Sequence, residues 1–126
     1  MMRTPRRITL RASFGYALRG IWFVARSERN FQIHVVAVPL VVMAAYWLQC
    51  TPMEWAILCM AMGFVLVAEA LNTAIELVVD LVSPEYNTLA GHAKDVAAGG
   101  VLLAAITAVA VAVWILGVPL YQRFVL

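Results

Sequence analysis

Three long apolar stretches decide most of what this chain of 126 residues can fold into. The first runs from Ile33 to Cys50 and is broken only by His34 and Gln49. The second runs from Trp55 to Ala68 and stays apolar in character to about Val82, and the third runs from Val96 to Leu120 without a formal charge. A helix needs roughly 20 mostly apolar residues to cross a hydrocarbon core of about 30 Å, so three spans fit. Composition agrees: 64% of the residues are hydrophobic, 13% are charged, and the mean hydropathy is +0.89. That is far more apolar than an ordinary soluble domain. The sequence predicts an all-α membrane protein forming one domain over residues 1–126, with spans at about 33–50, 55–82 and 96–118.

Basic residues orient it. Arg3, Arg6, Arg7, Arg11, Arg19, Arg26 and Arg29 precede the first span, whereas the loop QCTPME after it carries no Lys or Arg. The positive-inside rule then puts the amino end in the cytoplasm, the loop from Ser83 to Asp95 inside, and the tail with Arg123 outside. A cleaved signal peptide is excluded because the apolar run starts too far into the chain, and Gln49 spoils LQC at residues 48–50 as a lipoprotein site. Cys50 and Cys59 lack metal-ligand spacing and are expected as reduced packing residues.

Before the first span, residues at about 9–28 read as an amphipathic helix. Leu10, Phe14, Ala17, Leu18, Ile21 and Ala25 project within about 100° of arc, beside Arg11, Arg19 and Arg26. Such a helix lies on the membrane surface or packs on the protein's own bundle, and the two placements can coexist. In the third span Gly100, Ala104, Ala108 and Ala112 form a stripe of small residues that favours a tight bundle or oligomer. Three spans enclose little interior, so a site that needs walls is expected to borrow them from another subunit.

Against this apolar background the segment AEALNTAIELVVD, residues 68–80, stands out. Glu69, Asn72, Glu76 and Asp80 fall within about 80° of arc on one helix, with Thr73 beside them. With Trp55 at the outer interface and about 1.5 Å of rise per residue, Glu69 lies about 21 Å into the membrane, and Glu76 and Asp80 reach the cytoplasmic boundary. Inserting an acidic residue at mid-membrane costs about 2.5–3.5 kcal/mol, so such a group normally faces a protein interior and serves a function. Glu28, Lys94 and Asp95 flank the spans at the same boundary. Together these groups make an oxygen-rich pocket with one ammonium group, suited to Mg2+ shared with phosphate oxygens and to a point charge on a phosphate. The phosphate-cradling motif G-x-x-x-x-G-K-[ST] is missing, and Gly99 and Gly100 read as helix-packing positions. Two histidines are too few for a zinc site: His34 reads as an interfacial side chain, and His92 as a contact to a nucleotide.

The stretches RSERNFQIH and AEALNTAIELVVDLVSPEYNTLAGHAKDVAAGG, with the three-span layout, resemble the small prokaryotic integral-membrane diacylglycerol kinases and the related undecaprenol kinases. The resemblance covers about residues 13–114, and its motif E-x-x-N-[ST]-A-I-E-x-x-V-D followed by A-K-D is long and specific. It implies a homotrimer in the bacterial inner membrane, each subunit having a surface helix and three spans, with active sites shared between subunits on the cytoplasmic side. It also implies transfer of the ATP γ-phosphoryl group to a membrane lipid alcohol, giving undecaprenyl phosphate or phosphatidic acid; nucleic acid is not expected as a partner. Carried over residue by residue, Glu69 becomes the catalytic base and Asn72 a group that orients the reactants. Glu28 and Glu76 hold the metal, taken as Mg2+, while Asp80, Lys94 and Asp95 engage the nucleotide, with Tyr16, Asn87 and His92 nearby. ERNFQIH, the VSPE turn with Pro84 and DVAAGG look more like the undecaprenol kinases than the enteric enzymes. The amino-terminal basic residues do not align cleanly, so Arg11 and Arg19 receive no catalytic role.

Two readings from other classes compete. A cation-conducting oligomer needs polar residues along the outer half of its path, but Trp55 to Ala68 offers no charged or amide side chain. A non-catalytic scaffold would have no need of every polar position in the motif, and here all are filled.

Overall fold

The computed structural model describes residues 9–125; Arg3, Arg6 and Arg7, used above for orientation, lie outside them. In chain order it contains α1 (Leu10–Ser27), α2 (Arg29–Trp47), α3 (Pro52–Val82), α4 (Thr88–Ala112), a π-helical segment (Val113–Gly117) and α5 (Val118–Val125). No strand occurs among the described residues. Three helical stretches are long and apolar enough to cross a membrane: Arg29–Trp47, Pro52–Val82 and Thr88–Val125. Helix is the expected solution, because hydrocarbon offers backbone N–H and C=O groups no partner and each segment must satisfy its own.

Local chemistry sets the helix ends. The Thr9 side chain caps α1 by accepting from the Ala12 N–H at 3.3 Å. At Glu28 the backbone turns extended (φ −102°, ψ 114°), and the Gln32 amide donates back to the Ala25 and Arg26 carbonyls, closing the corner between α1 and α2. Helix α2 ends with Gln49 in the left-handed region (φ 57°), and the Cys50 N–H reaches the Ala45 carbonyl at 3.0 Å. This arrangement serves the last carbonyls of a helix and usually employs glycine. Pro52 opens α3 behind a capping box, in which Thr51 accepts from the Glu54 N–H and Glu54 accepts from the Thr51 N–H. Asn87 caps α4 through its side-chain oxygen, which accepts from Leu89 and Ala90.

The third apolar stretch runs on as helix to Val125, past the Leu120 end read from its composition. Pro119 explains the π segment. Proline has no N–H and its ring crowds the carbonyl four residues earlier, and widening the turn relieves both. The Val118 N–H accordingly donates to Val113, five residues back. Beyond it α5 folds against the end of α2: Phe124 stacks on Trp47 at 5.8 Å, and the Arg123 guanidinium lies over Trp47 at 4.9 Å.

Helices α2, α3 and α4 pack around a small core of Ala45, Leu58, Ile115 and Leu116. Ala104, 1% exposed, brings α4 close to α3, the most extensive contact in the chain. Gly99 and Gly100, expected at close contacts, have no atom within 4 Å of where a Cβ would stand, so neither packs within the chain. Cys50 and Cys59 are free thiols. Enlarging the small buried residue Ala104 tests the packing. Ala104→Phe is expected to destabilise the bundle by about 1–3 kcal/mol through overpacking, measured as a lower thermal midpoint in detergent.

Most large apolar side chains face outward, including Leu10, Leu81, Leu89 and Trp114, each more than three-quarters exposed. The accessible surface is 10253 Å2. A compact soluble monomer of this mass exposes about 6,600 Å2. An apolar surface of that extent requires lipid or other protein to cover it.

Candidate active site

The corner between α1 and α2 and the turn between α3 and α4 lie at the same end of the bundle, because α2 and α4 start there and α3 finishes there. The polar residues of the sequence collect at this end and just below it.

Glu69 is the deepest. It is 2% exposed, and its Oε1 has no hydrogen-bond partner among the described residues. Thr73, one turn on and equally buried, turns its hydroxyl back to the Glu69 carbonyl at 3.0 Å and so leaves the carboxylate alone. Asn72 donates from Nδ2 to Glu76 Oε1 at 2.9 Å, and its own buried Oδ1 has no partner among the described residues. Two buried oxygens without donors sit on neighbouring turns of one helix. A buried acceptor without a donor costs about 1–3 kcal/mol, and these two are the only such side-chain atoms among the described residues.

From the α1–α2 corner, Glu28 approaches close enough for its charge to act on Glu69, as does that of Glu76; the Asn30 amide and His34 are further polar neighbours. His34, expected at the interface, instead lies with Nε2 3.9 Å from Glu69 Oε1. The sequence reading missed Asn30 and His34, although their four-residue spacing places them on one face of α2.

Among the described residues no Lys or Arg lies within 4 Å of Glu28, Glu69 or Glu76. Carboxylates gathered without a fixed cation attract one from solution, and an all-oxygen donor set suits a hard divalent ion. No group of three or more His, Cys, Asp and Glu side chains among the described residues closes into a protein cage. Glu28 and Glu76 supply carboxylate oxygens of the kind a hard divalent ion takes.

The nucleotide candidates divide. Lys94 on α4 reaches Asp80 on α3 at 2.5 Å, and these two share with Asn87 a shallow pocket of ≈ 230 Å3 beside the α3–α4 turn. The capping bonds occupy the Asn87 oxygen and leave its amide nitrogen to face a ligand. His92 and Asp95 are exposed on the same turns of α4 but do not line that pocket. Tyr16 lies on α1 beneath the Arg19 guanidinium, 4.7 Å from the ring centroid. One chain thus brings Glu28, Glu69, Asn72 and Glu76 together in one group and Asp80, Asn87 and Lys94 in another, and it leaves Tyr16, His92 and Asp95 outside both.

Comparison with known proteins identifies the family. The model of the prokaryotic diacylglycerol kinase family matches residues 15–116. An undecaprenol kinase of Bacillus subtilis is 44% identical over 94 residues, 75% of this chain and 76% of that protein. A diacylglycerol kinase of Synechocystis is 44% identical over 117 residues, 92% of this chain and 67% of that protein. The diacylglycerol kinase of Escherichia coli K12 is 39% identical over 95 residues, 75% of this chain and 78% of that protein. With the family match covering residues 15–116, the chain belongs to the prokaryotic diacylglycerol kinase family of membrane lipid kinases.

Proposed function

We propose that the chain transfers the γ-phosphoryl group of ATP to the hydroxyl of a membrane lipid alcohol, undecaprenol or diacylglycerol, at a site on the cytoplasmic side of the bacterial inner membrane. Both acceptors stand because relatives of each name share 44% identity with it. The observation that carries the reading is the buried Glu69 with an unpartnered oxygen, about 10 Å along α3 from Glu76. A lipid hydroxyl lies near the interface and ATP stays in water, so an enzyme joining them needs its base deeper than its phosphate-binding groups.

In the proposed step Glu69 accepts the hydroxyl proton as the alcohol oxygen forms its bond to the γ-phosphorus, and the bond from that phosphorus to the β-phosphate bridging oxygen breaks to release ADP. Asn72, held by its bond to Glu76, directs Oδ1 toward the reacting hydroxyl. A Mg2+ ion held by Glu28 and Glu76 supplies neutralisation of phosphate charge when bound. Lys94 places a second positive charge on the phosphates, with Asp80 fixing its position and the Asn87 amide beside it. Tyr16, His92 and Asp95 complete the nucleotide site from faces directed outward from their own chain. A homotrimer supplies the missing walls, with the exposed apolar surface as its contact area and the α1 helix lying along the membrane surface.

Purified protein in mixed micelles with radiolabelled ATP and Mg2+, given each alcohol separately, is expected to label at least one lipid. The label should disappear when the metal is chelated. Cation flux in liposomes, with neither lipid labelled, would replace the kinase reading with the conducting one.

A further inference from the structure

We propose that His34 is a positioning residue for Glu69, holding the buried carboxylate in the orientation that receives the acceptor's proton; this rests on the reading of Glu69 as the base. His34 comes from α2 and Glu69 from α3, so the contact fixes the carboxylate from outside its own helix. The imidazole Nε2 stands 3.9 Å from Oε1, the oxygen without a hydrogen-bond partner among the described residues. That separation is too long for a hydrogen bond, and a shift of under about 1 Å closes it. Catalytic hydrogen bonds are often long before substrate arrives and tighten in the complex.

The surroundings leave few other candidates. Among the described residues His34 is the one ion-pair partner within 4 Å of the Glu69 carboxylate, and Glu28, Glu76 and Asn30 also act on it by charge or hydrogen bonding. Glu28 and Glu76 repel it when ionised. The Asn30 amide, exposed at the first turn of α2, is a second donor toward the carboxylate, and His34 stands half-buried one turn deeper. On its other side His34 lines a cavity of ≈ 180 Å3 between α2, α3 and α4, walled by Ala37, Val41, Leu58, Val65 and Ala108. The imidazole thus touches an apolar cavity and the carboxylate, with 30% of its side chain exposed. Neutral imidazole carries one N–H donor, so the Nε2–H tautomer performs this role without a charge.

Substitutions separate positioning from packing. The amide nitrogen of Gln reaches about as far as Nε2, that of Asn stops short, and Leu fills similar space without a donor. In the full-length enzyme, His34→Leu and His34→Asn are expected to lower kcat about 10- to 100-fold. The KM for ATP should stay within about 2-fold, and His34→Gln should recover most of the loss. Adding His34→Leu to Glu69→Gln should leave the residual rate of the latter unchanged, because a residue acting through the carboxylate has nothing left to orient. Wild-type kcat in His34→Leu, a Gln variant as slow as the Leu variant, or equal slowing with and without Glu69 would each overturn the assignment. Full activity in Glu69→Gln alone would instead remove the base itself, a result the His34 single variants do not produce.

Discussion

Glu69→Gln is expected to lower kcat for lipid phosphorylation by about 10²- to 10⁴-fold, the range general-base catalysis contributes, while the KM for ATP changes little. Gln keeps the size of the side chain and its capacity to accept and donate hydrogen bonds, but it cannot carry away a proton. The variant should also unfold at the same temperature as the parent or higher. Glu69 is 2% exposed in a segment apolar enough to span the membrane, and an acidic group there costs stability that a neutral amide does not. Loss of rate with stability kept is what separates a base from a residue that ties helices together; a structural tie would lose stability first. Steady-state kinetics and a thermal unfolding curve in the same detergent measure both quantities.

Lys94→Ala is expected to lower kcat/KM for ATP about 10²- to 10³-fold, the loss that follows removal of one group stabilising charge on a transferring phosphoryl. Its only ion-pair partner among the described residues is Asp80, and the two side chains are 38% and 63% exposed. An exposed pair of this kind contributes about 0–1 kcal/mol, so the fold should hardly register its removal. Asp80→Asn distinguishes the two partners. If Asp80 serves chiefly to place the ammonium group, Asn in its place should cost less than removal of Lys94. Equal activity of Lys94→Ala and the parent at subsaturating ATP would take Lys94 out of the nucleotide site.

Some of this arrangement could be read from the residues alone because a single helix obeys a fixed period. Glu69, Asn72 and Glu76 had to share a face once α3 was a helix, and the Asn72 to Glu76 hydrogen bond follows from their four-residue spacing. Three apolar helices were legible for a related reason, since a bilayer leaves such sequences little alternative. Contacts between helices were harder. Helix α2 is apolar around nearly its whole circumference, so no hydrophobic stripe announced which side faces α3, and His34 read as interfacial until its rotation was known. Hydropathy also reports contact with lipid and says nothing of backbone bonding. It therefore gave no hint that α2 begins at Arg29 or that the last helix absorbs Pro119 through a π segment. The Asp80 to Lys94 bond depends on the turn at residues 83–87, whose geometry no periodicity describes.

A structure of the enzyme with a lipid alcohol and a non-transferable ATP analogue measures the distance from the Glu69 carboxylate to the acceptor hydroxyl. Expected is about 2.6–3.2 Å, with the hydroxyl in line with the γ-phosphorus. An acceptor oxygen bound by a different carboxylate, with Glu69 turned toward acyl chains, would contradict the assignment of the base and with it the depth relation on which the rest is built.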